Sequence, residues 1–327
     1  MSEPTTDEFS GHNLEKGVLQ RVRQWRDAIP ALVLIDALRV AGSPIYVGCV
    51  WAALMLDAVS GGVSATYLSA WNLSGFDSQA TEARGWWISG MSVVLAAILS
   101  ALIGRAGGCY AAGRAQSFLR NVRVVLARGV WLVAILVTPA VFIAAFALVL
   151  VGAGGLSRIG DVGGALMEGA TFLALPVAVM IGLIAAGSLL AVPLALVAMV
   201  IEKQSDVFDS LSRGYEYVYR RPIHLAFYLA CGAAMTVLVW ILAYSIAVAG
   251  MAIGDLAIGI GAGRPAYPVL FSLGLAMLPA AITMTAAWGL IGATYLLMRQ
   301  AANQQEIEDI AISDVDTAKP ELPSLRG

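Results

Sequence analysis

The sequence predicts an all-α polytopic membrane protein with six transmembrane helices and amphipathic cytoplasmic elbow helices. Three observations carry that prediction. Apolar residues make up 59% of the 327 and charged residues only 13%, against roughly 25% charged in an average soluble domain. Mean hydropathy is +0.79. The charged residues are also spaced so that six uncharged windows remain, at 40–56, 85–104, 129–157, 169–201, 222–254 and 265–298. A span needs about 20 apolar residues at a 1.5 Å rise, so the last five windows suffice alone. The first is long enough if Arg39 and Asp57 lie at the two interfaces.

The elements follow in order. Residues 1–42 read as a cytoplasmic tail with amphipathic interfacial helices. Leu14, Val18, Val22, Trp25 and Ile29 recur at three- and four-residue intervals, with Arg21, Arg23 and Arg26 at other positions, the pattern of a helix in the headgroup plane. Pro30 ends it, and the apolar stretch ALVLIDALRV leads to Pro44. Asp36 and Arg39 are spaced for a local ion pair.

Residues 43–300 form the transmembrane domain, with helices near 43–60, 86–105, 129–153, 170–200, 224–250 and 273–298. Before the third span, Phe118, Val122 and Val125 form an apolar stripe among Arg114, Arg120, Arg123 and Arg128. Before the fifth, the stripe is Phe208, Leu211, Tyr215 and Val218, with Ser205 and Asp206 at the N-terminus, Arg220 and Arg221 at the C-terminal end, and Pro222 as the stop. Arg39, Arg128 and Arg221 lie 89 and 93 residues apart, which suggests three units of an elbow and two spans. The intervening loops are placed at 61–85, 154–169 and 251–272. Residues 301–327 read as a disordered cytoplasmic tail.

Seventeen of the twenty lysines and arginines fall in the N-terminal region, 105–128, 202–221 and the C-terminal end from Arg299 on, leaving Arg84, Arg158 and Arg264 opposite. By the positive-inside rule both termini are cytoplasmic, in a bacterial inner membrane. Trp86, Trp87 and Trp131 at span entrances suit interfacial anchoring.

Few residues suggest chemistry. Asp57 and Glu168 fall at outer span ends, and no ionisable residue is placed at the centre of a span, where proton relays are built. Pro176 and Pro193 offer possible breaks in the fourth span, although prolines are common in membrane helices. Small residues four apart, at Ala140/Ala144, Gly187/Ala191, Gly232/Thr236 and Gly289/Ala293, suit close helix crossings. Cys49, Cys109 and Cys231 form no CxxC, and His12 and His224 form no zinc motif. No catalytic residue, cofactor or metal ligand is assigned, and with a net charge of -2 no nucleic-acid partner is expected.

The segment Ser205–Pro222, with Ser-Arg-x-Tyr-x-Tyr-Val at 212–218 and Arg-Pro at 221–222, resembles one that recurs in uncharacterised bacterial polytopic inner-membrane proteins. The elbow-then-span layout is similar to the membrane domain found beside glycerophosphodiester phosphodiesterases. That resemblance implies a helical membrane fold and carries over no activity and no site residue.

The expected function is a non-catalytic membrane scaffold or accessory subunit. The alternative is a transporter or permease subunit whose 202–221 helix docks a separate ATPase. Expected partners are membrane lipid and a cytoplasmic or membrane protein. The residues expected to face them are Arg21, Arg23, Trp25, Arg26, Arg120, Arg123, Arg220 and Arg221.

Overall fold

A computed structural model describes residues 29–60, 86–114, 116–156, 160–203, 205–262 and 269–303. The N-terminal amphipathic stretch, the 61–85 loop and the tail beyond 303 lie outside these residues. Every element among them is helical. The short helix α1 (Val33–Ala37) lies between two 3-10 turns, Pro30–Leu32 and Leu38–Val40. It is followed by α2 (Pro44–Ser60), α3 (Trp86–Ala111), α4 (Phe118–Ala127), α5 (Gly129–Leu156), α6 (Gly160–Ile201), α7 (Val207–Arg220), α8 (Pro222–Ala262) and α9 (Val269–Asn303).

Five helices, α3, α5, α6, α8 and α9, are long and apolar enough to cross a membrane. A sixth span exists if Pro30–Val40 and Pro44–Ala58, bent by 67° at their junction, count as one. In the order of elements a short helix precedes two longer ones three times, with α2, at 17 residues, the shortest of the longer helices.

Two predicted loops are largely helix. Only 157–159 separates α5 from α6, and α8 runs through Gly254 to Ala262. Glycine there lowers helix propensity by about 1 kcal/mol without forbidding the helix, and the alanines, isoleucines and leucines between allow it to continue. The 42 residues of α6 make it about 63 Å long, twice the hydrocarbon thickness of about 30 Å. Pro176 and Pro193 lie inside α6 without ending it. A helix end is marked instead after α3, where Gly113 takes φ 71° and the N–H groups of Gly113 and Arg114 return to the carbonyls of Tyr110 and Cys109.

The core lies where α3, α6 and α9 meet. Each is buried nearly all round over its last turns, Ala101–Ala106, Leu194–Ile201 and Ala293–Met298 among them. Between α3 and α9 the backbones touch. A Cβ added at Gly107 would collide with the backbone of Gly289, and one at Gly292 with that of Gly104. This is the small-residue crossing predicted from Gly289 and Ala293, with Gly104, Gly107 and Gly292 as partners the sequence reading did not name. Gly187/Ala191 is also a packing pair, since Tyr215 and Tyr219 lie against Gly187, and Gly214 against the Ala191 backbone. Ala140 and Ala144 face outward instead. The helix that carries them, α5, packs mainly on α6 with its other side.

The short helices dock in cyclic order. Helix α4 rests on α3 and α7 on α6, while α1 rests on α9 as well as on α3. Each thus lies on the second long helix of the preceding unit, the first unit closing on the last. In α1 the residues Val33, Leu34 and Ala37 are buried, so the stretch read as an apolar lead-in is a core segment of the bundle.

Candidate functional site

Among the described residues, the buried Arg105, Asn121 and Arg299 gather at the C-terminal end of α6. A helix leaves its last four carbonyls without intrahelical partners and carries a partial negative charge there. Two arginines meet these groups. Arg105 of α3, 1% exposed, donates from Nη1 to the Val200 carbonyl. Its Nε donates to Asn121 Oδ1 at 3.2 Å and its Nη2 to Gln116 Oε1 at 3.2 Å. Asn121 Nδ2 then donates to the Tyr46 hydroxyl at 2.9 Å, so one guanidinium joins α2, α3, α4 and α6. Arg128, between α4 and α5, donates to the carbonyls of Met199, Glu202 (2.9 Å) and Lys203 (3.1 Å). Burial pulls its pKa below the ordinary value, against the pull of the Glu202 charge. It remains a cation at any physiological pH.

Glu202 closes the cluster from the other side. Its Oε1 accepts from the Tyr295 hydroxyl at 2.7 Å and from Arg299 Nη1 at 3.1 Å, both on α9, and lies 3.6 Å from Arg213 of α7. Arg213 also donates to Asp209 Oδ1 at 3.1 Å. Burial works against its charge, but the Asp209 hydrogen bond and the charges near it outweigh that, so its pKa is raised.

Helix α7 is set by its cap and by its tyrosines. Asp206 accepts from the Asp209 N–H at 2.7 Å, as predicted for the N-terminus of this segment. The Tyr215 hydroxyl bonds the Ile184 carbonyl at 3.1 Å and pairs with Ser188 Oγ at 2.7 Å. Its buried face is Val207, Ser210, Leu211, Gly214 and Tyr217. The predicted stripe is therefore turned by about one residue, and Phe208 faces outward, 66% exposed. The reason is the close crossing at Gly214, which draws the glycine, not an apolar side chain, to the centre of the contact. Tyr217 is 1% exposed with no partner for its hydroxyl, and burial raises its pKa to about 12.

The predicted contact residues are not brought together. Arg21, Arg23, Trp25 and Arg26 lie outside the described residues. Arg123 is exposed and Arg120 half-buried on α4. Arg220 is exposed but pairs with Glu216 at 2.6 Å, and Arg221 is half-buried at the end of α7. Of the residues that do converge, the sequence marks Arg105, Glu202 and Arg299 only as the ends of uncharged windows, gives Arg213 only within the motif at 212–218, and does not single out Tyr295. One signal could have exposed Arg105: apolar or small residues flank it on both sides, from Ile98 to Ala112, with only Ser100 interrupting.

Among the described residues no group of three or more His, Cys, Asp or Glu could hold a metal. What the cluster does chemically is hold guanidinium groups against carbonyl and carboxylate oxygens, which fixes α4, α7 and α9 to the end of α6. Asp36 and Arg39 form their expected ion pair at 3.3 Å, and Asp57 accepts from Ser92 Oγ at 2.9 Å, a contact within the protein at what was predicted to be an outer span end. Comparison with protein-family models, curated proteins and solved structures gives no match.

Proposed function

We propose that this chain is a non-catalytic scaffold or accessory subunit of a bacterial inner membrane, with its polar end and both termini in the cytoplasm. The observation that carries this reading is the use of the polar groups at the end of α6. Arg105, Arg128, Glu202 and Arg213 spend their hydrogen bonds on neighbouring helices, the economy of a rigid platform. The asymmetry of lysine and arginine supports the orientation, and the motif at 212–218 supports a place among the bacterial polytopic proteins it resembles.

Two measurements test it. A reporter active only outside the cytoplasm should be silent when fused after Asn303 and active when inserted near Gly75, and the reverse pair would overturn the orientation. Chemical cross-linking in native membranes, with the chain at its natural level, should yield a stoichiometric complex with a membrane or cytoplasmic protein. A stoichiometric ATPase in that complex would replace the scaffold reading with that of a permease subunit.

A further inference from the structure

Both α4 and α7 leave large apolar side chains exposed, Phe208 and Tyr219 on α7 among them, and the two helices differ in the charge beside those residues. The inward side of α4 buries Asn121 and Val125. Its outward side divides lengthwise. Leu119 and Leu126, seven residues apart and so on one line of the helix, are 77% and 60% exposed. Beside that line Arg123 is exposed and Arg120 half-buried. Just beyond the end of α4, at the start of α5, Val130 and Trp131 are exposed too, and α5 is long and apolar enough to cross the bilayer. Helix α4 therefore leads directly into a span.

Charge separates the two helices. Between residues 85 and 160 there is no aspartate or glutamate, while 105–128 holds five arginines. On α7 the exposed Arg220 is matched by Glu216 one turn away, and the half-buried Arg213 by Asp209. Asp206 adds a further negative charge at its start. Arg39, before α2, pairs with Asp36.

The geometry points to α4 as the chain's contact with anionic phospholipid: Leu119 and Leu126 dip into the acyl region, and Arg123 meets the phosphate-bearing headgroup. This rests on the reading of the polar end as a membrane-surface platform and narrows it to one helix. An amphipathic helix with cations along the edge of its apolar face binds at that boundary by burial and charge together. Each arginine near an anionic surface contributes about 1 kcal/mol, or about fivefold.

The test uses the full chain in nanodiscs of equal parts phosphatidylglycerol and phosphatidylcholine. A photoreactive phenylalanine analogue replaces Leu126, and the lipid adducts are measured by mass spectrometry. Phosphatidylglycerol adducts should exceed phosphatidylcholine adducts several-fold. Arg123→Gln or 0.5 M salt should bring the ratio toward one, and Arg220→Gln should leave it unchanged. Equal adducts in the unaltered chain, or no lipid adduct, would overturn the proposal, as would an equal effect of Arg220→Gln. Both leaflets of a nanodisc are alike, so the result is independent of orientation, and failure of the topological reading would show only in the reporter fusions.

Discussion

Arg105 offers three donors to three acceptors on separate segments, a task that suits a planar fork and not a single ammonium. Arg105→Lys should therefore lower stability by about 1–3 kcal/mol, read as a drop in the detergent unfolding temperature, while Arg39→Lys at the exposed end of its ion pair should change it little. Equal effects would mean that charge, and not the fork, matters at Arg105. Tyr217 gives a prediction of opposite sign. Its buried hydroxyl has no partner, so Tyr217→Phe should be neutral or stabilising by about 1 kcal/mol. Its folded pKa is raised to about 12 from an ordinary value near 10. The stability of its neutral form is then complete below about pH 10 and declines as pH rises toward 12. Over that window the variant should gain on the parent in denaturant unfolding, and a constant difference would show that Tyr217 does not titrate there. These roles were not legible in the sequence. Arg105, Glu202 and Arg299 bound the uncharged windows, where a charge reads as the end of a span. Only the folding of three helix ends onto one another turns them into partners.

Elements were more legible than residues, because a charge-free window and a turn of proline or glycine are local signals, whereas a loop is defined by what does not continue. The helices near 43–60, 86–105 and 129–153 are present, and so are α4 and α7 at their predicted places. The supposed loops at 154–169 and 251–272 were misread because glycine weakens a helix without stopping it. The crossing of α3 and α9 was half legible, since Gly289 was noted but Gly104 and Gly107 were not. It makes a sharp prediction: Gly292→Ala would place a methyl against the Gly104 backbone and should cost about 1–3 kcal/mol by overpacking. Gly182→Ala on α6, where nothing lies within 4 Å, should be neutral or slightly stabilising, as alanine is the better helix former. Melting of the two variants in one detergent checks both, and similar behaviour would deny that the crossing is tight.

At the scale of the whole molecule, three units of a short helix and two long ones dock in a ring, each short helix on the preceding unit. Such a ring depends on contacts between elements and not on where the chain begins. A permutant opened between Arg114 and Ala115, with the present termini joined, should elute as a single species and melt near the parent. Its aggregation would show that chain order is part of the fold. The closure of α1 on α9 also bears on how the protein is made. Helix α1 has as one of its neighbours α9, which is synthesised more than two hundred residues later. Until then Val33, Leu34 and Ala37 lack half of their enclosure and the Gly104 face of α3 lacks its crossing partner. Until α9 is made the nascent chain therefore holds a partly open bundle, and a product of a ribosome stalled before residue 269 should be degraded faster than the full chain.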